Sequence, residues 1–384
     1  MELNPQFKDF LASIRPTATQ AEDWRVGAKT LRQRLHDDPV LGPLVVATFL
    51  QGSVRRSTAI RPLGVKRPDV DVVVVTNLDH TTMRPAAAMK LFEPFLERWY
   101  SGKWKPQGRS YAIELSYVDL DLVITALPSD PAARQALERL YRSEAVLTTN
   151  SLEDTQDWRL NEHWRSQYPL TQWLNERSSN LADAPAEDWR PHPLFLPDRE
   201  VNRWGRTHPI AQIQWAAAKN RRCHAHYVNI VRTLKWWRLQ HADVLPKYPK
   251  GYPLEHMLGA VLPDGTESMA RGIVAAFEGL RDAWALEVAQ HKKPVLPDHG
   301  VPEHDVLKRL DVEDFLAFHA AASEAAALAR RALDSTDAQE SGKLWQELLG
   351  PRFPLPSPAG GDRPKGGFTP PVKPAAPARS DRFA

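Results

Sequence analysis

Two aspartates spaced to share one face of a strand, Asp69 and Asp71, stand at the head of the run DVDVVVV. Strand side chains alternate, so residues two apart project together. A carboxylate pair beside an apolar run is costly unless something cationic neutralises it, and a divalent metal ion does that. Upstream, Gly52-Ser53 in QGSVRRSTAIRP offers a turn with close backbone approach and a hydroxyl, which suits phosphate. A second alternating segment, 111–127, places Asp119 and Asp121 on one face and Val118, Leu120 and Leu122 on the other. The chemistry these residues suit is a metal ion meeting a phosphate.

The elements that position them follow from periodicity. Helices are expected over 5–15 and 19–37, the second with Trp24, Val26, Ala28, Leu31 and Leu35 at helical spacing. A short apolar strand, 45–50, leads into Gly52. One amphipathic helix is expected over 84–100 and a basic helical segment over 129–143. Residues 151–200, rich in Trp and Pro, form the join to a second domain. Over 227–239 the sequence YVNIVRTLKWWRL predicts an amphipathic helix whose stripe is Tyr227, Ile230, Val231 and Leu234. Arg232 and Lys235, three apart, are neighbours beside that stripe. Tyr252 precedes a helix starting near Leu254, and Ala-rich helices are expected over 272–288 and 311–333. Trp345, in the segment 341–354, is expected to dock into the helical part.

Composition narrows the class. At 384 residues, 42% hydrophobic and 25% charged, the chain is an ordinary globular protein large enough for two domains. No apolar run approaches the roughly 18 to 20 residues that span a bilayer, and the first residues lack a secretory pattern. A lone cysteine, Cys223, excludes an intramolecular disulfide. These features point to the cytoplasm and away from a membrane. The net charge of +3 misleads, because the last 34 residues carry +4 and leave the remainder near −1. That speaks against a nucleic-acid groove, which shows as a basic patch. The same tail holds nine prolines and is expected to be disordered.

The Gly-Ser, spacer, Asp-x-Asp pattern resembles the DNA polymerase β nucleotidyltransferase superfamily. QGSVRRSTAIRP followed by DVDVVVV is more specifically similar to the bacterial cGAS/DncV-like nucleotidyltransferases (CD-NTases), which make cyclic oligonucleotide second messengers in anti-phage (CBASS) defence. The resemblance covers roughly residues 40–354 and implies an α+β fold. It comprises a polymerase β-like palm with a mixed, mainly antiparallel sheet, plus a helical C-terminal lobe. The domains implied are 1–200, the palm with its N-terminal helices and crossover; 201–354, the helical nucleotide-binding lobe; and 355–384, the tail. The superfamily's third carboxylate falls on Asp121, with Asp119 as the alternative; the family's Pro-Ala after this acid is replaced by Ile124-Thr125.

By this resemblance, Asp69, Asp71 and Asp121 are catalytic residues and ligands of two Mg²⁺ ions, with Mn²⁺ as a substitute. Gln51, Gly52 and Ser53 hold phosphates. RTLKWW resembles a family helix whose lysine, here Lys235, reaches the triphosphate, with Arg232 beside it, and Tyr252 stacks on a nucleobase. Nucleoside triphosphates, ATP or GTP, are the implied partners. The effector that reads the product makes no direct contact, and a ubiquitin-transfer-like conjugating partner could modify the C-terminus. A linear oligonucleotide synthetase shares the same acids, and a catalytically silent nucleotide-binding regulator is a further alternative.

Overall fold

The computed structural model describes residues 1–64, 67, 69–142 and 191–357. Residues 151–190 of the expected join, and residues 358–384 of the tail with its conjugation end, lie outside the described residues. The chain begins with α1 (Asn4–Ile14) and α2 (Ala18–Asp37), then β1 (Val45–Gln51), the single turn α3 (Gly52–Arg55) and β2 (Asp69–Thr76). Thr17 and Gln20 form a reciprocal capping box that starts α2. The helix expected over 84–100 is two, α4 (Pro85–Lys90) and α5 (Glu93–Tyr100). Pro94 supplies no N–H and is tolerated only in a first turn, so the chain restarts there.

Next come β3 (Trp104–Pro106), β4 (Tyr111–Glu114), β5 (Asp119–Ala126), α6 (Pro131–Arg142), β6 (Leu194–Asp198) and β7 (Arg203–Thr207). The segment 111–127 is therefore a hairpin of two strands. The sheet runs β1-β2-β5-β4-β3, with β6 joining β5 at Ala126 and β7 completing that edge. Every pairing is antiparallel except β2 with β5, so the sheet is mixed and mainly antiparallel. The parallel ladder sets Asp69 beside Asp119 and Asp71 beside Asp121.

Alternation decides which face each residue serves. Val70, Val72, Val74, Leu120, Leu122 and Ile124 pack with α2 and α5. Val73, Val75 and Val123 pack on the other face with Leu137, Leu140 and Tyr141 of α6. The aspartates share this second face, at the strand ends that open toward the helical lobe.

The helical lobe contains α7 (Pro209–Arg222), α8 (Tyr227–Gln240), α9 (Tyr252–Val261), α10 (Met269–Asp282), the short α11 (Ala285–Ala289), α12 (Val312–Asp334) and α13 (Ala338–Leu349). Helix α8 is buried nearly all round, more than its expected stripe, because α1, α9, α10 and α13 surround it. Trp237 meets Phe277 edge-on at 5.0 Å, and Trp236 donates to the Leu349 carbonyl at 3.0 Å. Trp345 is fully buried and meets Phe7 edge-on at 5.1 Å. Helix α1 was expected with the palm. Its Phe7, Phe10, Leu11 and Ile14 belong instead to the core of the helical lobe. The sheet also continues through Thr207, beyond residue 200. No helix among the described residues is long and apolar enough to cross a membrane.

Candidate active site

The acidic face is assembled by β1, α3, β2 and β5. Strand β1 ends at Gln51, whose register partner is Asp71. The chain then turns through Gly52 at φ +71°, in the left-handed region. A Cβ at Gly52 would sit 1.7 Å from Asp71 Oδ2, so only glycine lets the backbone pass this carboxylate. The turn is closed by the Ser53 carbonyl, which accepts from Thr58 N at 2.8 Å and Ala59 N at 3.1 Å. The Gly-Ser turn and the acids are thus brought together, as their residue types suggested.

On β2 and β5, Asp69 is exposed while Asp71 and Asp121 are half-buried. Adjacent strands lie about 4.8 Å apart, which crowds the carboxylates of register partners. The crowding shows in their proton affinities. Surrounding protein, then the charges of Asp71, Asp121 and Asp119, push Asp69 up to about 7 although one side meets solvent. Burial, Asp71 and Asp119 push Asp121 up to about 6. Burial raises Asp71 too, against the pull of Arg56. Asp119 has a partner of its own: Arg67 Nε donates to its Oδ1 at 2.7 Å. Among the described residues Asp119 has an ion-pair partner and Asp121 has none.

Behind Asp71 lies a cluster that sequence reasoning missed. Arg56 Nε donates to Glu255 Oε2 at 2.9 Å, and Thr58 Oγ1 donates to Glu255 Oε1 at 2.7 Å. Lys235 Nζ donates to that same Oε1 at 3.2 Å and to the Thr58 carbonyl at 3.0 Å. Glu255 is 2% exposed. Burial alone would raise it, but Arg56 and Lys235 outweigh that and hold it at about 2. Burial lowers Lys235, with Glu255 opposing. The signal for Glu255 was available, since it is the one acid in the apolar helix YPLEHMLGAV. Lys235 spends two of its three N–H donors here and keeps one.

The remaining candidates separate. Tyr252 opens α9, half-buried, with the Arg56 guanidinium 4.9 Å from its ring centre and His256 Nδ1 3.2 Å from its hydroxyl. It therefore joins the cleft through Arg56. Arg232 does not share Lys235's partners: it is buried, bonded to Asn229 and next to Arg15. Among the described residues, no three His, Cys, Asp or Glu side chains converge as a ready-made metal cage.

Residues 1–127 match the family of Second Messenger Oligonucleotide or Dinucleotide Synthetase domains. The cyclic AMP-AMP-GMP synthase of Enterobacter hormaechei subsp. hoffmannii (strain UCI 50) is 60% identical, with both chains covered completely. The chain belongs to the cGAS/DncV-like nucleotidyltransferases. A probable cyclic AMP-AMP-GMP nucleotide synthase of Salmonella paratyphi B is 58% identical, again over all of both chains. The fold agrees with that of the Bradyrhizobium diazoefficiens CD-NTase CdnG in complex with GTP. The TM-score is 0.62 at 12% identity, over 91% of this chain and 94% of that one. As a CD-NTase, this protein is a nucleotidyltransferase that joins nucleoside triphosphates into a cyclic oligonucleotide second messenger.

Proposed function

We propose that this CD-NTase condenses ATP and GTP into a cyclic trinucleotide of two adenylates and one guanylate, as an antiviral signal made in the cytoplasm. The observation that carries the reading is the 60% identity, over the full length of both chains, to a cyclic AMP-AMP-GMP synthase. The uncompensated acidic face supports the chemistry.

Asp69, Asp71 and Asp121 fit Mg²⁺. All three are oxygen donors with raised proton affinity, and none forms an ion pair among the described residues. Mg²⁺ takes a few carboxylates and completes its shell from substrate phosphates, which agrees with a face that is no preformed cage. Bound there, two such ions would supply Lewis acidity that activates the acceptor hydroxyl and offsets charge at the reacting phosphate. The protein's own residues do the positioning. Gly52 lets the backbone N–H groups of the turn approach the triphosphate, and the Ser53 hydroxyl joins them. Gln51 ends β1 at that turn. Lys235, held rigidly by Glu255 and Thr58, offers its remaining N–H and its field to the phosphates. Tyr252 presents its ring to a nucleobase, a contact that gives affinity without base identity. Arg67 holds Asp119 away from the ligand set.

The test is incubation with ATP, GTP and Mg²⁺, phosphatase treatment and mass spectrometry. A phosphatase-resistant product with two adenylates and one guanylate is expected. A phosphatase-sensitive oligomer, or a ring of another composition, would overturn the reading.

A further inference from the structure

Outside the cleft, the end of α1 and the middle of α8 hold a second concentration of charge, all of one sign. Arg232 is 5% exposed, and its Nη1 donates to Asn229 Oδ1 at 3.3 Å. Arg15 Nη2 donates to the same oxygen at 3.0 Å, so two guanidiniums converge on one neutral amide. Arg61 folds over them, its Nε donating to the Arg15 carbonyl at 3.0 Å. Arg352 donates to the Ser13 carbonyl at 2.6 Å and covers the Trp236 ring at 5.0 Å. The Nε atoms of both Arg15 and Arg232 are buried with no hydrogen-bond partner. None of the four arginines forms an ion pair with a carboxylate among the described residues. The charges that act on Arg61 and Arg232 are those of Arg352 and Arg15, which repel.

A buried guanidinium without a counter-ion is strongly unfavourable. Arg56 shows what this protein does when a buried arginine is structural: it supplies Glu255. At Arg232 it supplies a second arginine. Burial and that second charge hold Arg232 well below its ordinary pKa, so the free protein carries the cost. A ligand of opposite charge removes it.

We propose that Arg15, Arg61, Arg232 and Arg352 form a binding site for a small polyphosphate anion, separate from the catalytic cleft. Planar guanidinium forks match phosphate oxygens in pairs, and four of them suit an anion carrying several charges. Arg15, Arg61 and Arg352 are half-exposed and form the mouth, while Arg232 forms the floor. The Arg56–Glu255–Lys235 cluster adjoins both, since its charges act on Asp71 while Arg232, one helical turn before Lys235, turns to Asn229 and Arg15 instead of Thr58 and Glu255. The polyphosphate has two sources, the pyrophosphate that nucleotidyl transfer releases and the tail of an intact nucleoside triphosphate.

Isothermal titration of the full chain in EDTA at constant ionic strength, with sodium pyrophosphate and separately with ATP, tests the site. EDTA keeps metal from the aspartates, whose uncompensated charge then repels phosphate from the cleft. Saturable binding is expected, unchanged in Arg330→Gln, whose partner is Glu278 on the far helices, and weakened roughly tenfold to a hundredfold in Arg15→Gln and Arg61→Gln. Tighter binding of pyrophosphate identifies the released anion as the ligand, and tighter binding of ATP identifies the nucleotide tail. Arg232→Met serves as the fold control: it should raise the melting temperature of the free protein while abolishing binding. Absence of saturable binding by both probes, or binding unaffected in both Arg15→Gln and Arg61→Gln, would overturn the proposal.

Discussion

The acidic face and the cluster behind it are neighbours built on opposite principles. On β2 and β5, three carboxylates crowd together with no ion-pair partner among the described residues, and Asp69 and Asp121 are pushed up to about 7 and about 6. One layer deeper, Glu255 is buried between Arg56, Lys235 and the Thr58 hydroxyl, and is held at about 2. In the deeper cluster the buried carboxylate is compensated, and Lys235 keeps one N–H for the phosphates. The acidic face is left with excess negative charge, which is the sign that the proposed cations would offset. A site prepared for a ligand shows as uncompensated charge in the free protein, and a structural site shows as compensated charge.

The sharpest break between the two regions comes from removing one charge in each. Asp69→Asn or Asp71→Asn should lower product formation by on the order of a hundredfold to a thousandfold or more, as expected for loss of a transition-state electrostatic group. The metal-free fold should be retained or strengthened, because like charges have been separated. Turnover near that of the unaltered enzyme in either variant would remove the carboxylates from the chemistry. Glu255→Gln should do the opposite, destabilising the protein by about 3–5 kcal/mol because two buried cations lose their partner. Urea denaturation measures this, and an unchanged midpoint would show the cluster to be dispensable.

Gly52→Ala probes the seam between the regions. The left-handed backbone and the 1.7 Å approach to Asp71 Oδ2 predict a loss of about 1–3 kcal/mol in stability together with misplacement of that carboxylate. Wild-type activity at unchanged melting temperature would mean that the turn yields without consequence. A smaller effect should appear as pH dependence. With a folded pKa above the ordinary 3.8, Asp69 keeps a proton that the unfolded chain has released, so its contribution is present below about 3.8 and lost as pH rises through about 7. Glu255 has the reverse sign, contributing above its ordinary 4.5 and losing that contribution as pH falls towards 2. In EDTA, the melting temperature of the unaltered protein relative to Asp69→Asn should therefore decline between pH 4.5 and 7.5. A difference independent of pH would contradict the crowding. The mildest outcome is expected for Asp119→Asn: its pair with Arg67 is about one-third exposed, so stability should change within about 1 kcal/mol. Most activity should survive, whereas Asp121→Asn should lose it; equal losses would place both acids among the ligands.

Much of this protein was legible in its residues. Alternation alone put Asp69 with Asp71 and Asp119 with Asp121, because a strand has only two faces. The turn at Gly52 and the helix of Tyr227–Gln240 were equally local matters of backbone geometry and period. Tertiary structure decided what each charge meets. Strand pairing set β5 parallel to β2 and so aligned Asp121 with Asp71, a register that neither strand encodes by itself. Lys235 and Arg232 look alike on a helical wheel, yet α8 is enclosed on most sides, and one faces Glu255 while the other faces Arg15. Helix α1 carries an apolar stripe that would fit the palm or the helical lobe, and only the packing of Phe7 and Phe10 against Trp345 and Phe353 chose the lobe. Periodicity reports which side of an element is apolar; the partner across that side is set by long-range contacts, and with it the charge state of every buried group.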